Sequence, residues 1–135
     1  MLLPSNVLLV NFYTYEYVKE NPDILFVFGD NLLEKGKAGQ AIIRDLPNTL
    51  GIPTKRKPCL KYEDCYFSDT DEEFELLSER LNNLERYVNM GYKIALPKTG
   101  LGTGLANMKN KSPKLFRYLT NRLRKLHPEY LRNIS

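Results

Sequence analysis

The chain alternates short, continuously apolar runs with longer amphipathic stretches. "NVLLVNFYTY" (6–15) is rich in branched and aromatic residues and reads as a strand. "DILFVFG" (23–29) is apolar throughout, as a strand covered on both faces should be, and Gly29 is expected to end it. "GQAIIRD" (39–45) suits a short helix that Pro47 stops, and a further short strand centres on Ile52. From Asp71 to Met90, Phe74, Leu77, Leu81, Leu84 and Val88 recur at helical spacing, Thr70 and Glu73 stand at capping-box spacing, and Gly91 supplies the stop. "YKIALP" (92–97) reads as a buried strand, and Ser112 with Pro113 opens a last helix carrying Phe116, Leu119, Leu123 and Leu126. Strands alternating with helices predict an α/β sandwich.

Composition narrows this picture. With 135 residues, 42% of them hydrophobic, the chain is expected to form a single compact domain over 1–135. No apolar run reaches the roughly 18 residues of a membrane span, and the start lacks the basic region and cleavage site of a secretion signal, so a cytoplasmic protein is expected. Cys59, Cys65 and His127 make no CxxC pair or His/Cys cluster; neither a structural metal nor a disulfide framework is expected, and no cofactor is implied. The net charge of +4 is uneven, with acids gathered at 62–75 and bases at 108–127. A basic C-terminal helix can lie along nucleic-acid phosphates, and the competing reading is a solvated polar face.

Two glycine-bearing loops each follow a buried strand, "GDNLLEKGKAGQA" at 29–41 and "KTGLGTGLA" at 98–106. Ligands of open α/β sheets sit at strand C-terminal ends, and glycines let backbone amides converge on phosphate oxygens. The first loop is not a P-loop, because position 31 is Asn and Ala38 follows Gly36 and Lys37. The second has Gly100, Gly102 and Gly104 spaced two and two, without the further three-residue step of a dinucleotide fingerprint. A diphosphate cradle therefore competes with the reading of both loops as plain turns.

"FVFGDN", "KGKAGQA", "GIPTK" and "ALPKTGLGTGLA", in that order, resemble the macro-domain superfamily over about residues 23–125. The likeness is to small macro-like proteins of bacteria and phages, nearest the branch of terminal ADP-ribose glycohydrolases and ADP-ribose 1″-phosphate phosphatases. The resemblance implies a three-layer α/β/α domain with a mixed central sheet and an ADP-ribose-type small molecule, or an ADP-ribosylated macromolecule, across the strand ends. It places Gly29, Asp30 and Asn31 in the first ligand loop, Gly36, Gly39 and Gln40 in the segment under the distal ribose, and Leu101, Gly102, Thr103, Gly104 and Leu105 in the phosphate loop, with Lys98, Thr99 and Gly100 leading into it. Lys55, after Thr54, falls where the glycohydrolase branch has its nucleophilic lysine, and Asp30 is the carboxylate available to assist it.

The branch's second catalytic position, an aspartate after its phosphate loop, is Ala106 here. Binding is therefore the primary expectation, and hydrolysis of an ADP-ribosyl linkage or a terminal phosphate stays open. Lys55 has a competing reading as an exposed charge in a basic run, and Asp30 as a backbone or adenine hydrogen-bond partner. Tyr62, Tyr66 and Phe67 could wall a base or pack beneath a loop. Nucleic-acid binding through the C-terminal helix and a pure protein-interaction module remain the alternatives. Gly102→Glu is expected to block the cradle while sparing the fold.

Overall fold

The structure is a computed structural model that describes residues 6–132. The first residues, on which the absence of a secretion signal was read, lie partly outside that range. It is an α/β fold. Strands β1 (Val7–Val10), β2 (Ile24–Asn31), β3 (Thr49–Lys55) and β4 (Lys93–Pro97) form one sheet in the order β1-β4-β2-β3. Helices α1 (Tyr15–Glu20), α2 (Asp71–Asn89), α3 (Met108–Lys111) and α4 (Pro113–Leu126) join a short 3-10 helix at Gly39–Ile43.

The sheet is parallel throughout rather than mixed. Each strand-to-strand connection carries a helical segment that returns the chain to the end it started from, which is how parallel neighbours are joined. Among the described residues the one antiparallel pairing, Lys55 with Tyr66, is an isolated bridge outside the named strands.

Two boundaries differ from the expected ones. β1 stops at Val10, because Thr14 accepts from the Tyr17 N–H and caps α1 over residues expected to stay extended. β2 runs past Gly29 to Asn31, where its register with β3 slips by one residue and sets Asn31 opposite Lys55.

Apolar side chains cover both faces. On one side Val27, Ile52, Ile94 and Leu96 meet Leu77, Leu81 and Leu84 of α2 and Leu115, Leu119 and Leu123 of α4. On the other, Phe26, Phe28 and Ala95 meet Val18 of α1 and Ala41 and Ile43 of the 3-10 helix. α2 starts on the expected capping box, with Thr70 accepting from the Glu73 N–H and the Glu73 carboxylate accepting from the Thr70 N–H. α4 starts differently: Ser112 makes no side-chain cap, and the Asp69 carboxylate accepts from the Lys114 and Leu115 N–H groups. A cap brought from 45 residues away leaves no local sequence signal.

The neighbours β2 and β4 send the chain to opposite faces, into the 3-10 helix and toward α4 respectively. Such a divergence opens a crevice at the strand C-terminal ends.

Among the described residues no helix is long and apolar enough to cross a membrane.

Candidate functional site

A cavity of about 660 Å³ occupies that crevice. It is lined from all four strand ends, by Asn11 to Tyr13 after β1, Gly29 to Asn31 at the end of β2, Thr54 and Lys55 at the end of β3, and Pro97 after which comes the second glycine loop. The volume suits a drug-sized or nucleotide-sized molecule.

Gln40 sets the distance between the two glycine loops. Its Oε1 accepts from the Gly29 N–H at 2.9 Å and its Nε2 donates to the Gly100 carbonyl at 2.9 Å. Both polar ends of the amide are spent on backbone, so Gln40 builds the wall instead of presenting a free group. Thr54 is similar, its hydroxyl donating to the Asp30 carbonyl at 3.1 Å. Asn31 folds its own turn, its Oδ1 accepting from Leu33 and its Nδ2 donating to the Lys35 carbonyl.

The second loop is turned outward by what lies beneath it. Leu101 is wholly buried in the core, and its N–H donates to the Tyr130 hydroxyl oxygen at 2.6 Å. The Thr103 hydroxyl donates to the Thr99 carbonyl. From Gly102 to Ala106, five consecutive N–H groups find no protein acceptor among the described residues, and all five residues line the cavity.

Lys55 and Asp30, the expected catalytic pair, have unlike surroundings. Lys55 lines the cavity yet is 7% exposed, and its Nζ donates to the Cys59 carbonyl at 2.6 Å and lies 4.8 Å from the Tyr66 ring centre. Burial lowers its pKa below the ordinary lysine value. Asp30 is fully committed: Arg44 Nη1 donates to Oδ2 at 2.8 Å, Arg44 Nη2 meets Oδ1 at 2.7 Å, and the Asn31 N–H donates to Oδ1. A carboxylate gripped in this bidentate manner acts as a clamp, and of the two readings of Asp30 the arrangement matches the backbone hydrogen-bond partner.

Several other expectations are corrected by placement. Lys98 is exposed and lies outside the cavity, its N–H bound to the Val10 carbonyl, and Leu101 contributes core packing rather than ligand contact. Of the three aromatics expected either to wall a base or to pack beneath a loop, Tyr66 and Phe67 are buried and take the packing alternative, and Tyr62 is exposed outside the cavity. The aromatic wall comes instead from Phe12, which is 78% exposed, and Tyr13. The Tyr13 hydroxyl lies 2.7 and 3.0 Å from the Val27 and Ala95 carbonyls, and burial raises its pKa well above the usual tyrosine value. Gly29, Gly36, Gly39, Thr99 and Gly100 do line the cavity, with Lys55 and residues 102–105.

Arg44 was not legible as a site residue. Its signal was a lone arginine one turn after Gly39, aligned by the 3-10 helix beneath Asp30.

Cys59 and Cys65 form a disulfide, with Cα atoms 5.4 Å apart. No disulfide framework was expected, but the turn at Glu63–Cys65 folds the chain back on itself and brings the two cysteines together, a geometry that a separation of six residues does not announce. Among the described residues no group of three or more His, Cys, Asp or Glu side chains is placed to hold a metal ion.

No curated protein and no solved structure shows significant similarity to the chain. The sequence profile of a family of unknown function, DUF7831, matches residues 8–122, and the chain belongs to that family.

Proposed function

We propose that the chain binds ADP-ribose or a related ADP-ribosyl nucleotide, free or attached to a macromolecule, in the cavity at the strand ends. The observation that carries this reading is the run of five N–H groups from Gly102 to Ala106 without protein acceptors in a loop that lines the cavity. Successive unpaired amides in a glycine loop form a concave donor surface suited to phosphate oxygens. Phe12 and Leu105 stand exposed at the rim and offer apolar surface for a base or ribose face. The macro-like order of motifs along the chain supports the same ligand class.

Binding needs only the cradle, the Gln40 bridge and the rim. Hydrolysis would need Lys55 unprotonated and detached from the Cys59 carbonyl, with a base other than Asp30.

The test is calorimetric titration with ADP-ribose at two salt concentrations, on the wild type and on Gly104→Glu. A Cβ at Gly104 meets nothing within 4 Å, so this variant puts a negative side chain into the cradle without disturbing packing. Saturable binding that Gly104→Glu weakens at least about 100-fold, the cost of one like-charge contact with a bound phosphate, is expected. No heat from the wild type, or undiminished affinity in the variant, refutes the cradle. Chromatography of the same mixtures separates binding from turnover.

A further inference from the structure

Residues 56–65 make an excursion from the end of β3 that returns to it through the Lys55–Tyr66 bridge. Arg56 and Lys57 both donate their N–H groups to the Cys65 carbonyl, the Tyr66 hydroxyl donates to the Leu60 carbonyl, and the Cys59–Cys65 disulfide closes the loop. The loop has little core of its own, since Leu60 is 54% and Tyr62 67% exposed while Cys65 is fully buried. What it does hold is the cavity wall, through Pro58 and Leu60, and the Lys55 ammonium, through the Cys59 carbonyl at 2.6 Å.

A cross-link spanning six residues constrains chiefly those six. Its effect is therefore felt at Lys55 more than in the distant sheet. We propose that the Cys59–Cys65 disulfide is a redox latch on Lys55: oxidised, the loop pins the amine to the Cys59 carbonyl; reduced, the loop loosens and the amine is released to the cavity. That release bears on nucleotide binding only through the reading of the cavity given above, on which its functional consequence rests.

The reductant is a dithiol. Its thiolate attacks Sγ of the partly buried Cys59, breaks the S–S bond and expels the thiolate of the buried Cys65, which takes up a proton. The reductant's second thiol then displaces the mixed disulfide, so that two electrons and two protons end on Cys59 and Cys65 and the reductant leaves as its own disulfide. The latch would open in a reducing compartment and close in an oxidising one. Burial of the Lys55 amine, which favours its neutral form, agrees with a group whose reactivity is withheld by its hydrogen bond.

The experiment measures acetylation of Lys55 by N-hydroxysuccinimidyl acetate, read by peptide mass spectrometry, for the oxidised wild type, the wild type in dithiothreitol, and Cys59→Ala. Exposed Lys114 is the internal reference. The expected result is a rise in the Lys55 to Lys114 rate ratio of about tenfold on reduction, the worth of one hydrogen bond to a charged donor, with Cys59→Ala at the high value in either buffer. An unchanged ratio in both the reduced wild type and Cys59→Ala overturns the latch. So does loss of the circular-dichroism melt in both, because the bond is then a staple of the whole fold. Parallel ADP-ribose titrations keep the two readings apart. A ratio that rises without ADP-ribose heat in either state supports the latch and sinks the ligand, whereas equal heats with an unchanged ratio do the reverse.

Discussion

Replacing Arg44 by Ala should unfold more than it disarms. The pair it makes with Asp30 is bidentate, the two side chains are 15% and 6% exposed, and the guanidinium also lies 5.6 Å from the Phe28 ring centre. Arg44 further donates to the Gly36 and Lys35 carbonyls and so ties the first glycine loop to the 3-10 helix. Truncation leaves the Asp30 carboxylate buried with one N–H, that of Asn31, where two guanidinium donors stood. Removing one partner of a buried pair costs about 3–5 kcal/mol, and the retained N–H together with water entering from the cavity places the expectation at the lower end, about 3 kcal/mol. At the usual unfolding entropy per residue, that lowers the midpoint of a chain of this length by about 10 °C.

Thermal and urea unfolding at pH 7 measure the loss. Arg44→Lys should recover only part of it, because an ammonium cannot grip both oxygens. The double variant Asp30→Leu/Arg44→Met should recover most, because no orphaned charge remains. A loss in Arg44→Ala within about 0.5 kcal/mol of zero would mean that solvent screens the pair as it screens surface pairs. Asp30 would then be free enough to return as a candidate base beside Lys55.

Gln40→Leu removes both bonds that couple the glycine loops and should cost about 1–3 kcal/mol in urea unfolding, with a larger loss of ADP-ribose affinity than of stability; equal losses would make Gln40 a packing residue. Gly102→Glu, expected from sequence to spare the fold, should instead fold poorly. The Gly102 φ of +78° disfavours any side chain, and an added Cβ would press on the buried Met108 Cγ at 2.9 Å, so a wild-type melt for Gly102→Ala would refute that geometry. Lys55→Met tests the buried amine through pH. Because burial lowers the folded pKa of Lys55 below its unfolded value of 10.5, the unfolded chain binds more protons between the two, and stability rises with pH across that window. The wild type should therefore gain on Lys55→Met as pH climbs toward 10.5, and a stability difference that is flat in pH would show the amine to be solvated.

What the sequence made legible was whatever a local pattern encodes. The apolar runs around Phe26, Ile52 and Ile94 are buried strands, and the stripe Leu77, Leu81, Leu84 and Val88 faces the core behind a complete capping box. Phe74 belongs to the same periodic series but lies at its edge, partly buried and 5.7 Å from the Tyr118 ring centre. The glycine loops were recognisable because glycine after a buried strand carries its meaning in place. Partnerships across the chain were not. Asp69 caps a helix 45 residues onward, Arg44 claims Asp30 from 14 residues away, Gln40 reaches Gly100 across 60, and Cys59 finds Cys65 only through an intervening turn. Each of these reassigns a residue whose type alone fitted a chemical role.

The same distinction weighs the cavity against the basic C-terminal helix as a place to hold phosphate. Of the basic side chains on α4, Arg122 is paired with Glu85 and donates to Asn82, and Arg124 donates to the Tyr130 and Leu131 carbonyls. Just before the helix, Lys111 is paired with Glu63. Lys114, Arg117 and Lys125 remain exposed along one face, opposite Leu115, Leu119 and Leu123. A stripe of so few charges spread over three turns offers nucleic acid roughly three phosphate contacts, hence a salt slope of no more than about −3, which is the range of weak and nonspecific association. Arg122 and Arg124 are held by the fold, and Arg124 holds the loop floor in turn, since it fixes the Tyr130 segment whose hydroxyl receives the Leu101 N–H. Through Arg124 the basic helix supports the glycine loop from below. Of the charge that is conspicuous in the sequence, Arg124 alone among the described residues reaches the loop floor, and Arg122 and Lys111 are spent on ion pairs with Glu85 and Glu63.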